Sequence, residues 1–260
     1  MSFGDVVALI VVEGLVGLLV LTILWPTKGS AKRLLRRWLV SDPTDAELAE
    51  ALTYLRRRRL WYPWLLIGLP MVVDYTGLLS ENRDDSWSFP AVLLIGGLLA
   101  ELFAQRRGRR PVRAAIPVRR GLTDIVPGWA LILHTVTALG AFVLLGCALA
   151  GVGWARHWYP NWSTRLLWIA LIAAALVVLV VWAVVGLALR RPAIAELRID
   201  PVLRTRSARV PVGLGIATLC ALIGGGQSDF RGGIIIVAGL FLWSAIASPV
   251  RRRRARPALA

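Results

Sequence analysis

Cysteine, histidine and acid are all scarce in this chain. Of its 260 residues two are Cys (Cys147, Cys220), two are His (His134, His157) and 15 are Asp or Glu. Two histidines 23 residues apart with two scattered cysteines do not form a metal-ligand set. Two thiols do not make a disulfide scaffold either; both read as small buried thiols, with a bridge between them left open. The sequence has no Gly-rich phosphate loop ending in Lys-Ser/Thr, no His-Glu-x-x-His pair, no nucleophile elbow and no Ser/His/Asp set. These absences argue against an enzyme driven by nucleoside triphosphate or catalytic zinc. No cofactor and no metal are expected.

What is abundant is oil and arginine. The chain is 57% hydrophobic and 18% charged, with a formal net charge of +16; its mean hydropathy is +0.65. Ordinary soluble domains are about 45–50% apolar and about 25% charged. A chain both this oily and this basic must keep the two properties in different places, which argues against disorder and an ordinary soluble enzyme. The remaining class is an integral membrane protein with charged loops.

Crossing a hydrocarbon core about 30 Å thick takes roughly 20 mostly apolar residues. Seven stretches fit: 6–25, 60–79, 88–104, 125–150, 166–189, 210–225 and 233–250. The fifth carries no charge in 24 residues. The sixth and seventh are short, and Gly224, Gly225 and Gly226 are expected to fray the end of the sixth. All seven read as helices, because backbone in a bilayer must be satisfied internally and no ten-residue alternation suggests a barrel. The fold class expected is therefore all-α: a polytopic membrane helical bundle, one transmembrane domain over 1–260.

Orientation follows from the arginines. Alternate connections carry nine, seven and six basic residues and the tail five, together 27 of the 31; Arg83, Arg156, Arg165 and Arg231 are the remaining four. Cytoplasmic loops are rich in Lys and Arg, so the amino terminus is expected outside and the carboxyl terminus inside, which requires an odd number of spans. The opening segment reads as a retained helix rather than a cleaved signal, since its positive charge follows the apolar run at Lys28. The localisation expected is a bacterial cytoplasmic membrane.

The basic helical loop at 26–59 is the most informative soluble piece. Ser41-Asp42-Pro43-Thr44-Asp45 is a helix-start signal, and Glu47 to Arg59 continues as a helix ending in Arg56, Arg57, Arg58 and Arg59. Within 32–40, Leu34, Leu35, Trp38 and Leu39 share one face, with Arg33, Arg36 and Arg37 on the other. This reads as an amphipathic helix lying on an anionic inner leaflet, the seven arginines contacting phospholipid headgroups. Nucleic acid is not expected, because the loops are short and tethered to spans. Of the 12 tryptophans, nine cluster at span edges as an aromatic belt: Trp25, Trp61, Trp64 and Trp129 at the inner edges and Trp87, Trp154, Trp158, Trp162 and Trp168 at the outer. In the outer loop Trp154-Ala-Arg-His-Trp-Tyr-Pro-Asn-Trp162 they suggest either a cap or an interfacial segment.

Thr44, Tyr54-Leu55-Arg56-Arg57-Arg58-Arg59, Arg110-Pro111-Val112-Arg113-Ala114-Ala115 and Asp124-Ile125-Val126-Pro127 together carry a resemblance. A later loop, Asp200-Pro201-Val202-Leu203-Arg204 with Ser207-Ala208-Arg209, matches it less closely. The pattern resembles a group of uncharacterised actinobacterial multi-spanning membrane proteins, over roughly a third of the chain. The resemblance implies source and topology, and no activity.

Charged groups within spans cost a few kcal/mol each, so each asks for a reason. Glu13 and Asp74 lie about 12 Å and about 8 Å below the outer edges of the first two spans, without a basic residue at matching depth. His134, beside Thr135 and Thr137 in the fourth, extends a possible polar path inward. Glu101 sits near the inner end of the third, within reach of Arg106 or Arg107. Three functions remain in view. The first is a non-catalytic accessory or scaffold protein with a membrane or cytoplasmic protein partner. The second is a small proton- or cation-coupled transporter using Glu13 and Asp74. The third is a lipid-processing membrane enzyme. The topology is directly testable: an impermeant thiol reagent applied from outside should label Ser80→Cys and Ser163→Cys but not Ser30→Cys. Labelling of Ser30→Cys would overturn it.

Overall fold

The computed structural model describes residues 15, 18–19, 21–23, 25–38, 40, 42–75, 88–104, 121–190, 200–227 and 230–248. Among them every regular element is a helix: α1 (Lys28–Arg37), α2 (Asp45–Tyr75), α3 (Ser88–Ala104), α4 (Leu122–Ile125), α5 (Gly128–Leu149), α6 (Gly153–Trp158), α7 (Thr164–Arg190), α8 (Asp200–Gly224) and α9 (Phe230–Ala247). Of the described residues of the first expected span, 15, 18–19 and 21–23 are helical and Trp25 is not. Four helices are long and apolar enough to cross a membrane, at 128–149, 164–190, 201–224 and 230–247, and 90–103 is a shorter apolar helix.

Local chemistry fixes the starts. Thr27 caps α1 in a reciprocal pair with Ser30: the Ser30 amide donates to the Thr27 hydroxyl at 3.3 Å and the Thr27 amide to the Ser30 hydroxyl at 3.0 Å. Thr44 and Glu47 do the same for α2, at 3.3 Å and 2.9 Å. The start signal at 41–45 is thus used as the sequence indicates. The end of that helix is different. Instead of stopping at Arg59 before a separate span, α2 runs 31 residues without a break, about 46 Å. Nothing between Arg56 and Leu60 breaks helical geometry, and arginine is a good helix former, so four adjacent charges do not end the helix.

α8 is the centre of the bundle. It packs against α9, α7, α3 and α5, and 89% of its apolar window lies inside the protein, against 22–33% for the other three long apolar helices. The helix that holds the sixth expected stretch begins at Asp200, ten residues before that stretch, so the Arg204–Arg209 segment is helical. It ends at Gly224, with Gly225 and Gly226 in the turn beyond it. Gly224 and Gly232 meet so closely that a Cβ on either would fall within 2.6 Å of the other's carbonyl oxygen, and a Cβ on Gly226 would collide with the Tyr159 ring. These glycines buy closeness between α8, α9 and the loop over their ends. Pro211 sits inside α8; it has no amide hydrogen for the fourth preceding carbonyl, a defect surrounding helices can accommodate.

Midway along the α8–α9 contact, a Cβ on Gly239 would stand 2.7 Å from Cys220 Cβ and 3.1 Å from Ala217 Cα. The second of these is backbone and cannot swing away. Gly140, on the exposed side of α5, meets nothing within 4 Å. Gly239→Ala should therefore lower stability in detergent by about 1–3 kcal/mol, while Gly140→Ala should be neutral or raise it by up to about 1 kcal/mol. Thermal unfolding of the two variants side by side checks both.

Candidate functional site

The basic end of the bundle is a folded platform. α1 packs on α2, and Ala31, Leu34, Leu35, Ala51 and Leu55 form a small core with Leu203 of α8, flanked by Trp38, Leu48 and Leu52. This corrects the expected amphipathic placement: Ala31 and Leu35 are fully buried, so that face lies against protein and not lipid. The burial favours protein because α2 and α8 project apolar side chains beyond the long apolar stretches and leave them a partner. The opposite face keeps its arginines in the open, with Arg33, Arg36 and Arg37 exposed.

Two tryptophan–arginine contacts bracket α1. Before it, Arg56 of α2 lies over the Trp25 ring at 5.9 Å. After it, Arg209 of α8 lies over the Trp38 ring at 6.0 Å, and the Arg209 Nε–H donates to the Ile125 carbonyl at 3.1 Å. Contacts of this kind contribute about 0.5–1 kcal/mol when exposed and more when desolvated. α1 is thereby a strap from α2 to α8. Sequence pattern assigned Trp38 to an apolar face and counted Arg209 as loop charge; the signal that could have linked them was the helical continuation from Asp200.

The arginine run of α2 divides. Arg56 and Arg57 are exposed. Arg58 turns inward and forms an ion pair with Glu101 of α3, whose side chain is 2% exposed. Glu101 was expected to reach Arg106 or Arg107, which lie outside the described residues; the pair the structure provides joins α2 to α3 instead. Stacking of Trp61 on Phe103, with centroids 4.9 Å apart, closes the same seam. Glu47 and Arg204 are buried nearby in sequence terms to this platform, each with an interaction partner.

The expected intramembrane relay is not assembled among the described residues. Glu13 lies outside them. Asp74 belongs to α2, which packs on α1 and α3, whereas His134 lies on α5, in the packing of α5, α7 and α8. The imidazole is buried, its Nε2 has no hydrogen-bond partner among the described residues, and a Cβ on Gly215 would stand 3.1 Å from it. Its ring is edge-on to Trp182, centroids 6.4 Å apart. The hydroxyls meant to extend a path turn back on their own helix: Thr135 donates to the Leu131 carbonyl at 3.0 Å and Thr137 to the Leu133 carbonyl at 2.8 Å. No group of three His, Cys, Asp or Glu side chains suited to a metal occurs among the described residues. Cys147 and Cys220 are free thiols.

At the other end, the tryptophan-rich loop is a cap. The Trp158 indole N–H donates to the Ile223 carbonyl at 2.9 Å, the Tyr159 hydroxyl to the Leu222 carbonyl at 3.4 Å, and the Gln227 amide to the Trp158 carbonyl at 2.8 Å. The first two serve last-turn carbonyls that α8 cannot pair itself, and the third ties the segment after α8 back to α6. Tyr159 stacks on Trp162 at 4.8 Å, so protein already occupies those ring faces. Burial pushes the Tyr159 phenol above its ordinary range, which keeps it a donor well into alkaline pH. Trp25, Trp61, Trp64, Trp129, Trp154 and Trp168 stay exposed, as does Trp182 along α7, whereas Trp162 is buried.

His134→Leu tests what the buried imidazole contributes. A buried polar atom without a partner costs stability, and an apolar side chain of similar volume relieves that cost. The variant should therefore lose less than about 1.5 kcal/mol in a detergent melt; a larger loss would show that the ring is held by a group outside the described residues. No family model, no curated protein and no solved structure matches this chain.

Proposed function

We propose that the chain is a multi-pass protein of a bacterial cytoplasmic membrane, with about seven spans, its amino terminus outside and its carboxyl terminus in the cytoplasm. In this reading it is a non-catalytic accessory or scaffold subunit, whose basic end rests on anionic lipid and meets a membrane or cytoplasmic protein. The observation that carries it is the use made of α8. In a carrier or enzyme, the most enclosed helix is where a polar cavity or discontinuous backbone would be expected. Here the enclosed helix is continuous and its apolar stretch is lined by small residues: Gly213, Ala217 and Ala221 on successive turns and Gly215 on another face, with the Thr218 hydroxyl bonded to the Leu214 carbonyl at 2.8 Å. Such a centre holds neighbours in place.

The experiment is purification from native membranes in mild detergent, with cross-linking before solubilisation. A second protein should co-purify in fixed proportion and cross-link to this chain. A cross-linked monomer alone, with phospholipid composition altered by incubation with the pure protein, would replace the scaffold reading with an enzymatic one.

A further inference from the structure

We propose that the outward face of α1, carrying Arg33, Arg36 and Arg37, is a binding surface for the phosphate groups of anionic phospholipids, engaged by charge without insertion of the helix. The proposal rests on the membrane reading above, and it deepens that reading from general lipid contact to one surface and one mode of binding.

Three observations carry it. First, the arginines sit at i, i+3 and i+4, one face of a helix, and all three are exposed. Second, the opposite face is committed to protein: Leu34 and Leu35 are buried against α2 and α8. A helix that binds a leaflet by burying its apolar face is ruled out for these residues, and only the charged face is left to meet a partner. Third, the strap is anchored at both ends by tryptophans, Trp25 under Arg56 and Trp38 under Arg209. Tryptophan prefers the headgroup level, so the anchors set α1 at the height where lipid phosphates lie.

The charge order along α2 selects lipid over an acidic macromolecule approaching from the cytoplasm. Its arginines lie at 56–59, beside the start of the apolar stretch, whereas Asp45 is exposed in its first turn, about 17–21 Å further along the helix axis. An acidic partner arriving from that direction meets this carboxylate first. A negatively charged bilayer surface meets the arginines and leaves this carboxylate beyond most of its field, which fades within a Debye length, about 8–10 Å.

The test uses the full chain in nanodiscs of equal phosphatidylglycerol and phosphatidylcholine, with native mass spectrometry counting the lipids retained after release. The wild-type protein should keep phosphatidylglycerol in excess. Arg33→Gln/Arg36→Gln/Arg37→Gln should reduce that excess by up to about fivefold for each arginine, and 0.5 M salt should reduce the wild-type excess similarly. Arg33→Lys/Arg36→Lys/Arg37→Lys keeps the charge and should retain most of it. Arg165→Gln/Arg231→Gln, at the other end of the bundle, should change nothing. Helicity by circular dichroism confirms that each variant is folded. An unchanged phosphatidylglycerol excess in the folded glutamine variant overturns the proposal. So does loss of a co-purifying acidic protein with lipid retention intact. The scaffold reading fails separately, by the absence of any partner in the cross-linking experiment, whatever the lipid counts show.

Discussion

The whole bundle depends on how closely other helices can approach α8. Dispersion between surfaces falls steeply with distance, and in hydrocarbon there is no water-driven term to hold helices together. Packing must therefore supply the cohesion. Glycine and alanine on α8 allow it: α9 reaches it through Gly239 and Gly232, α3 through Gly97 against Leu214, and α5 and α7 meet it at Gly215. Each contact exists because one partner has no side chain there. The same absence explains why His134 can be buried at all, since its ring occupies space that any side chain at position 215 would fill.

Around this centre the two ends are finished by different chemistry. One end is closed by hydrogen bonds from Trp158, Tyr159 and Gln227 to the last turn of α8 and its neighbours. The other is closed by charge and aromatic faces: the Arg58–Glu101 pair, and the two arginines over Trp25 and Trp38. Neutral donors suit an end with four basic residues in its connections, and charged fasteners suit an end that already gathers most of the arginine. A buried pair such as Arg58–Glu101 contributes little net stability, but losing one partner leaves a charge stranded. Its value lies in fixing how α2 and α3 are matched.

Much of the architecture was legible in the sequence because hydropathy and helix-start chemistry are local signals. The apolar stretch at 88–104 is helical throughout, Thr44 caps α2, and the fifth apolar stretch lies within α7. What was not legible depended on partners distant in sequence. The sixth stretch reads as weak from sequence because it is short and ends in three glycines; burial ranks α8 first, because those small residues let its neighbours approach closely. The amphipathic pattern of α1 was read correctly as two faces, but a pattern cannot say whether its apolar face meets lipid or protein. Leu203, more than 160 residues away, decides that. The candidate acids gave the least: Glu13 lies outside the described residues, and Asp74 and His134 lie on different helices, α2 and α5.

The continuity of α2 has a consequence for rotation. A helix that passes unbroken from the strap platform into the apolar stretch is a shaft, and each residue along it turns by about 100°. The angular setting of Arg56 toward Trp25 and of Arg58 toward Glu101 is thus locked to that of every residue beyond Leu60. A loop at the same place would absorb a one-residue insertion; this shaft would pass it on as a quarter-turn or more between its two halves. The spacing between the platform and the rest of α2 is thereby constrained as tightly as the identity of any residue in it.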